Sequence, residues 1–212
     1  RELLGRFFRH ASSQPLNEQL ADLVLCFGAK SLLAGKPVFT MLKEKFPTAE
    51  IATCSTSGEI FHTEVMDETL SITAIEFEKT SVLSHGISIK DFNNSYDAGK
   101  ALVSQFEKKD LSYILVLSDG SLVNGSELVR GMNEVAGEDV LITGGMAGDG
   151  SNFSSTLVGL NDNPAEGLIA GIGLYGKNLC VRHGSQGGWE TFGLEKLVTR
   201  SDQNELFEIE NY

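Results

Sequence analysis

Residues 22–60, DLVLCFGAKSLLAGKPVFTMLKEKFPTAEIATCSTSGEI, align without a gap on residues 112–150, SYILVLSDGSLVNGSELVRGMNEVAGEDVLITGGMAGDG. At this offset of 90 positions Leu25 falls on Leu115, Ser31-Leu32 on Ser121-Leu122 and Gly35 on Gly125. Thr53 falls on Thr143, Gly58 on Gly148 and Glu59 on Asp149. Beyond a loop that is longer in the second copy, an offset of 98 brings Phe77 onto Tyr175, Lys79 onto Lys177 and His85-Gly86 onto His183-Gly184. Two copies of one unit bury against each other the face that neither can bury alone, and the cleft between them is the natural ligand site.

Each copy reads as alternating strands and helices. Asp22–Phe27 is a short apolar run ending at Gly28, which marks a buried strand. Val38, Leu42 and Phe46 form a helical stripe, with Phe39 and Met41 beside it, that Pro37 opens and Pro47 closes. Ile51–Cys54 is the next strand, and two parallel strands joined by one helix make a right-handed crossover. Leu70–Phe77 and Val82–Ile89 alternate and are expected to pair antiparallel. Residues 95–109 read as a connecting helix with Tyr96, Ala101, Leu102 and Phe106 on one face. The second copy repeats the order through strands at Tyr113–Leu117, Val140–Thr143, Leu168–Tyr175 and Leu179–His183, with a helix at Glu127–Val135. The fold expected is α/β: two tandem β-α-β-β-β repeats related by a pseudo-twofold, mixed sheets face to face beneath outer helices. Residues 1–21 are an N-terminal helical segment, 22–187 the main domain (22–90, connecting helix 91–111, 112–187), and 188–212 a linker or the start of a further domain.

Composition narrows the partners. The net charge is −12 with no basic stripe, so neither nucleic acid nor an anionic membrane surface is expected. Three scattered cysteines, Cys26, Cys54 and Cys180, suit a reducing, cytoplasmic setting, with Cys26 and Cys180 read as small core residues.

The most distinctive string is Gly144-Gly-Met-Ala-Gly-Asp-Gly150, twinned by the repeat with Cys54-Ser-Thr-Ser-Gly-Glu59. Glycines after a strand either let backbone N–H groups approach a ligand or permit tight packing. The ligand reading selects Thr53, Ser55, Thr56, Ser57, Gly58, Glu59, Gly144, Gly145, Met146, Gly148 and Asp149, with His183 beside its own glycines. Neither loop is a Walker A, and Gly171-Ile-Gly-Leu-Tyr-Gly176 lies inside a strand, where a dinucleotide fingerprint cannot function. His85 and His183 occupy twinned strand ends and could each ligate a metal or satisfy a carbonyl. A hydrolase or transferase would have to use Cys54, or Glu59 with Asp149 as a carboxylate pair. The carboxylates serve equally as loop hydrogen-bond acceptors, and no catalysis is expected.

Cys54-Ser-Thr-Ser-Gly-Glu-Ile60 resembles the GCTTAGEI signature of FIST domains, with Thr53-Cys54-Ser55 in place of Gly-Cys-Thr. Gly144–Gly150 with Phe153 and Thr156 resembles the family's second signature, and Val181-Arg-His-Gly184 its third. The resemblance covers roughly residues 22–200. It implies a bacterial sensory module that binds a small ligand, such as an amino acid, and signals to a histidine kinase or a cyclic-di-nucleotide enzyme such as a diguanylate cyclase. It also implies a following C-terminal FIST domain. One branch, the nitric-oxide-sensing NosP-like proteins, binds haem; on that reading His183 is the axial ligand and His85 the second choice.

Overall fold

The computed structural model describes residues 17–61, 63–184, 190–202 and 205–210. The helix expected within 1–21 falls almost wholly outside them. The chain divides into two compact units, one ending at Val181 and the other starting at Arg182.

The first unit holds two four-stranded mixed sheets. Strand β1 (Leu23–Ala29) pairs parallel with β2 (Glu50–Thr56), and helices α1 (Lys30–Gly35) and α2 (Val38–Lys45) make the crossover. The stripe behaves as expected: Val38, Leu42 and Phe46 are buried. A short hairpin, β3 (Glu59–Phe61) and β4 (Glu64–Met66), leads to β5 (Leu70–Ile75), which runs antiparallel to β1. In the second half β7 (Leu111–Ser118) pairs parallel with β8 (Leu141–Met146) across helix α4 (Gly125–Ala136). There β10 (Leu168–Tyr175) runs antiparallel to β7. The triplets β5-β1-β2 and β10-β7-β8 therefore share strand order and direction.

The fourth strands are exchanged. β6 (Ser81–Ser88) does not pair with β5 as expected; it runs antiparallel to β10 in the other sheet. Phe77 and Val82, at either end of the link, both pack on the apolar layer between the sheets and carry the chain across it. Conversely β9 (Val158–Leu160), from the second half, pairs antiparallel with β2 in the first. The exchange explains a second departure. Leu179–His183 forms no strand, because β10 already has β6 on one edge and β7 on the other. Cys180, expected in the core, is exposed.

Alternation assigns the faces. Leu23, Ala52 and Cys54 of one sheet meet Leu117, Ala170, Ile172 and Leu174 of the other in a shared core. The opposite faces pack under helices: Val24, Cys26 and Ile51 under α2, and Ile114, Val116 and Ile169 under α4 and α3 (Ser95–Ser104). Helix α3 ends earlier than expected and buries Ala98, Gly99, Leu102 and Val103. Phe106, beyond its end, lies against Gly171 and Gly173 of β10, so those glycines make room for a ring within a strand.

The second unit contains the antiparallel pair β11 (Val198–Asp202) and β12 (Glu205–Ile209). Among the described residues no helix is long and apolar enough to cross a membrane.

Helices α3 and α4 touch through two glycines. A methyl group at Gly131 would lie 2.0 Å from the Tyr96 carbonyl oxygen, and one at Gly99 would lie 2.3 Å from that of Leu128. Alanine raises helix propensity by ~1 kcal/mol, but overpacking against backbone costs ~1–3 kcal/mol and wins. Gly131→Ala is therefore expected to lower stability by ~1–2 kcal/mol in urea unfolding. A variant more stable than wild type would show that the helices separate freely.

Candidate functional site

The site is built where β2 and the loop after β8 meet. β2 is covered on both faces, so Thr53 and Ser55 are fully buried like the Ile51, Ala52 and Cys54 beside them, while the chain emerges at Thr56-Ser57-Gly58. Ser55 joins the two loops through its own four polar contacts. Its N–H donates to the Leu157 carbonyl (2.8 Å) and its carbonyl accepts from Gly148 N–H (2.8 Å). Its Oγ donates to the Gly148 carbonyl (2.8 Å) and accepts from Leu157 N–H (2.9 Å). Ser57 Oγ accepts from Gly150 N–H at 3.2 Å. A methyl at Gly148 would sit 2.5 Å from Ser57 Oγ and 3.0 Å from Ser57 N. The glycine signature at 148 thus serves the approach of one loop to the other.

Beside this clasp lies a cleft of about 840 Å³. Thr56, Ser57, Gly58 and Glu59 line it from the first copy, and Asp149 to Ser154 from the second. Lys30 and Ala34 of α1 and the pair Asp67-Glu68 complete the wall. Lys30 Nζ spans the loops: it donates to Ser155 Oγ (2.7 Å), Asp149 Oδ2 (3.2 Å) and Ser154 Oγ (3.4 Å). Hydrogen bonds from Ser154 first, then from Asn152, Lys30 and the Ser155 backbone, hold the Asp149 carboxyl well below the usual carboxylate range. Glu59, buried at the cleft floor, accepts from Thr56 Oγ1 (2.6 Å), Thr69 Oγ1 (2.6 Å) and Thr69 N (3.1 Å).

The remaining sequence candidates lie elsewhere. Gly144, Gly145 and Met146 belong to strand β8 and do not line the cleft. A methyl at Gly144 would be 1.8 Å from the Val116 carbonyl oxygen, so that glycine lets the strands approach. The buried Thr53 hydroxyl has no hydrogen-bond partner and faces Gly159 of β9. His183 is exposed in the second unit, outside the unit that holds the cleft. His85 sits on β6 with its ring edge-on to Phe106, centroids 4.7 Å apart. Sequence reading missed Lys30, Asp67 and Glu68. No local motif marks them: the crossover topology and the β3–β4 hairpin bring them to the loops.

This donor set does not suit haem. No histidine lines the cleft among the described residues, and its one lysine is engaged by three acceptors. Nor do the described residues contain a group of three or more His, Cys, Asp or Glu placed to hold a metal ion.

The sequence model of the FIST N domain matches residues 22–211. The chain belongs to the FIST N domain family. FIST domains are sensory domains, and the match runs through both loops of the cleft and on across the second unit. No curated relative and no solved structure matches the chain.

The buried thiols of this FIST domain are poor nucleophiles. Burial pushes Cys54 up to about 12, and burial with the nearby Cys54 and Glu59 pushes Cys26 up to about 12. The thiolate is the reactive form, so neither attacks an electrophile at neutral pH. In the folded protein at pH 8, Ellman's reagent is expected to titrate one thiol rapidly, Cys180, and all three after unfolding. Rapid loss of two thiols in the native state, with Cys54→Ala restoring one, would make Cys54 an accessible nucleophile.

Proposed function

We propose that this FIST domain binds a small polar molecule in the cleft between the two loops and passes the event to a signalling partner. A histidine kinase or a diguanylate cyclase is the partner class that the family implies. The observation that carries this reading is the joint lining of one cleft by loops from both copies. A ligand touching Thr56–Glu59 and Asp149–Ser154 together favours the arrangement in which both loops are correctly placed. It shifts population between relative orientations of the halves by its differential affinity for them. The ligand-contacting set is Thr56, Ser57, Gly58, Glu59 and Asp149 from the sequence candidates, joined by Lys30, Asp67 and Glu68. Ser55 and Gly148 act behind them by holding the loops in register.

Against catalysis stand two features. A general acid needs a carboxyl kept protonated near neutral pH, whereas Asp149 is held ionised. Cys54, the nucleophile of an alternative hydrolase or transferase reading, is buried and protonated.

The test blocks the cleft from an exposed position. Ala34→Trp fills it from α1 without touching the core. Wild-type and variant proteins are dialysed against a metabolite extract and their bound small molecules read by native mass spectrometry. Wild type is expected to retain at least one compound that Ala34→Trp does not, while both unfold within a few degrees of each other. Identical retained compounds, or none with wild type, would remove the cleft as the ligand site.

A further inference from the structure

Once the ion pair on the cleft wall is set aside, the remaining lining charge has one sign. Lys30 is the lining residue with a positive charge among those described, and its three N–H donors already meet Asp149, Ser154 and Ser155. Lys30 and Asp149 cancel. Glu59, Asp67 and Glu68 remain, a balance of −3 on the wall. Glu59 at the floor already accepts from three donors. At the mouth, Glu68 accepts one hydrogen bond, from Ser31 Oγ at 2.6 Å, leaving acceptor capacity open, and Asp67 is exposed beside it.

Several backbone donors of the second loop are also engaged within the protein. Gly148 N–H points to the Ser55 carbonyl and Gly150 N–H to Ser57 Oγ. The Ser155 N–H points to Asp149 Oδ2. A carboxylate or phosphate entering this cleft would therefore meet net negative charge with its charged donors already engaged.

One large apolar group lines the same cleft. Phe153 is 90% exposed and holds a positive φ of 50°, a conformation bulky side chains rarely adopt. An exposed aromatic face that lines one cleft together with carboxylates is a recognition element for ammonium groups, which are attracted to the ring's π-face and pair with the carboxylates.

We infer that the ligand class of this cleft is a small aliphatic amine carrying no carboxylate, a diamine or longer, with an ammonium group set between Phe153 and the Asp67-Glu68 edge. The inference rests on the cleft reading above and narrows it. It is distinct from an amino-acid ligand, whose carboxylate would find no free cation here.

Three probes of matched chain length separate the outcomes: 1,4-diaminobutane, 4-aminobutyrate and succinate, each titrated by calorimetry at low salt. The diamine is expected to bind, roughly tenfold or more tighter than either other probe, and to weaken as salt rises. Asp67→Asn/Glu68→Gln is expected to weaken it about tenfold, and Phe153→Ala severalfold, with unfolding midpoints near wild type. Ala34→Trp is expected to abolish it. Tighter binding of 4-aminobutyrate or succinate, lost in Ala34→Trp, would overturn the amine class while leaving the cleft as the site. Diamine binding that survives Ala34→Trp would overturn both. Absence of diamine binding, or binding indifferent to Asp67→Asn/Glu68→Gln, would overturn the amine class; retention of another compound by wild type and not by Ala34→Trp would then still support the cleft.

Discussion

Everything at the site depends on Ser55. It is fully buried near the end of β2, and its N–H, carbonyl and hydroxyl make four hydrogen bonds to the second copy, at Gly148 and Leu157. Such bonds are individually worth ~1 kcal/mol, but leaving a buried partner unpaired costs ~1–3 kcal/mol each. The asymmetry fixes the geometry: the loops meet at one register or the bonds are lost together. Lys30 adds a second bridge, from α1 of the first copy to Asp149 on the second. Partly exposed, that bridge contributes less than the Ser55 contacts. The cleft is the space left beside this clasp.

The clasp sits within a wider interlock. Because β6 completes the second sheet and β9 completes the first, neither sheet is closed by residues of its own half. The shared core between the sheets then couples them over their whole faces. Under the proposed function, a ligand at the loops would act on two halves that already form one compact unit, which favours small shifts of orientation over separation.

Much of this was legible in the sequence. The ungapped match of 22–60 to 112–150 shows the recurring strand-helix-strand order, because repeated spacing of apolar residues demands repeated elements. Pro37 and Pro47 bound α2 as proline chemistry requires. The exchange of β6 and β9 was not legible: alternation within a strand states which face is buried, not which neighbour supplies the edge. The same limit explains Leu179–His183, whose apolar pattern suits a strand, although β10, the strand that precedes it, is already paired on both edges. At the site, matched glycines located the loops but not their purpose. Gly148 makes room for Ser57 and Gly144 for Val116, both contacts between distant segments. Lys30, the bridging cation, escaped notice because its twin position holds Gly120.

Amide hydrogen exchange in Ser55→Ala measures the clasp most directly. The alanine removes the acceptor of Leu157 N–H and the donor to the Gly148 carbonyl, while leaving β10 untouched. Loss of ~1–2 kcal/mol local to the loops corresponds to exchange faster by roughly 5- to 30-fold. The account predicts that acceleration at Gly148 and Leu157, with Ile172 in β10 unchanged relative to global stability. Equal acceleration at all three amides, or none at Gly148 and Leu157, would contradict a cleft organised by Ser55.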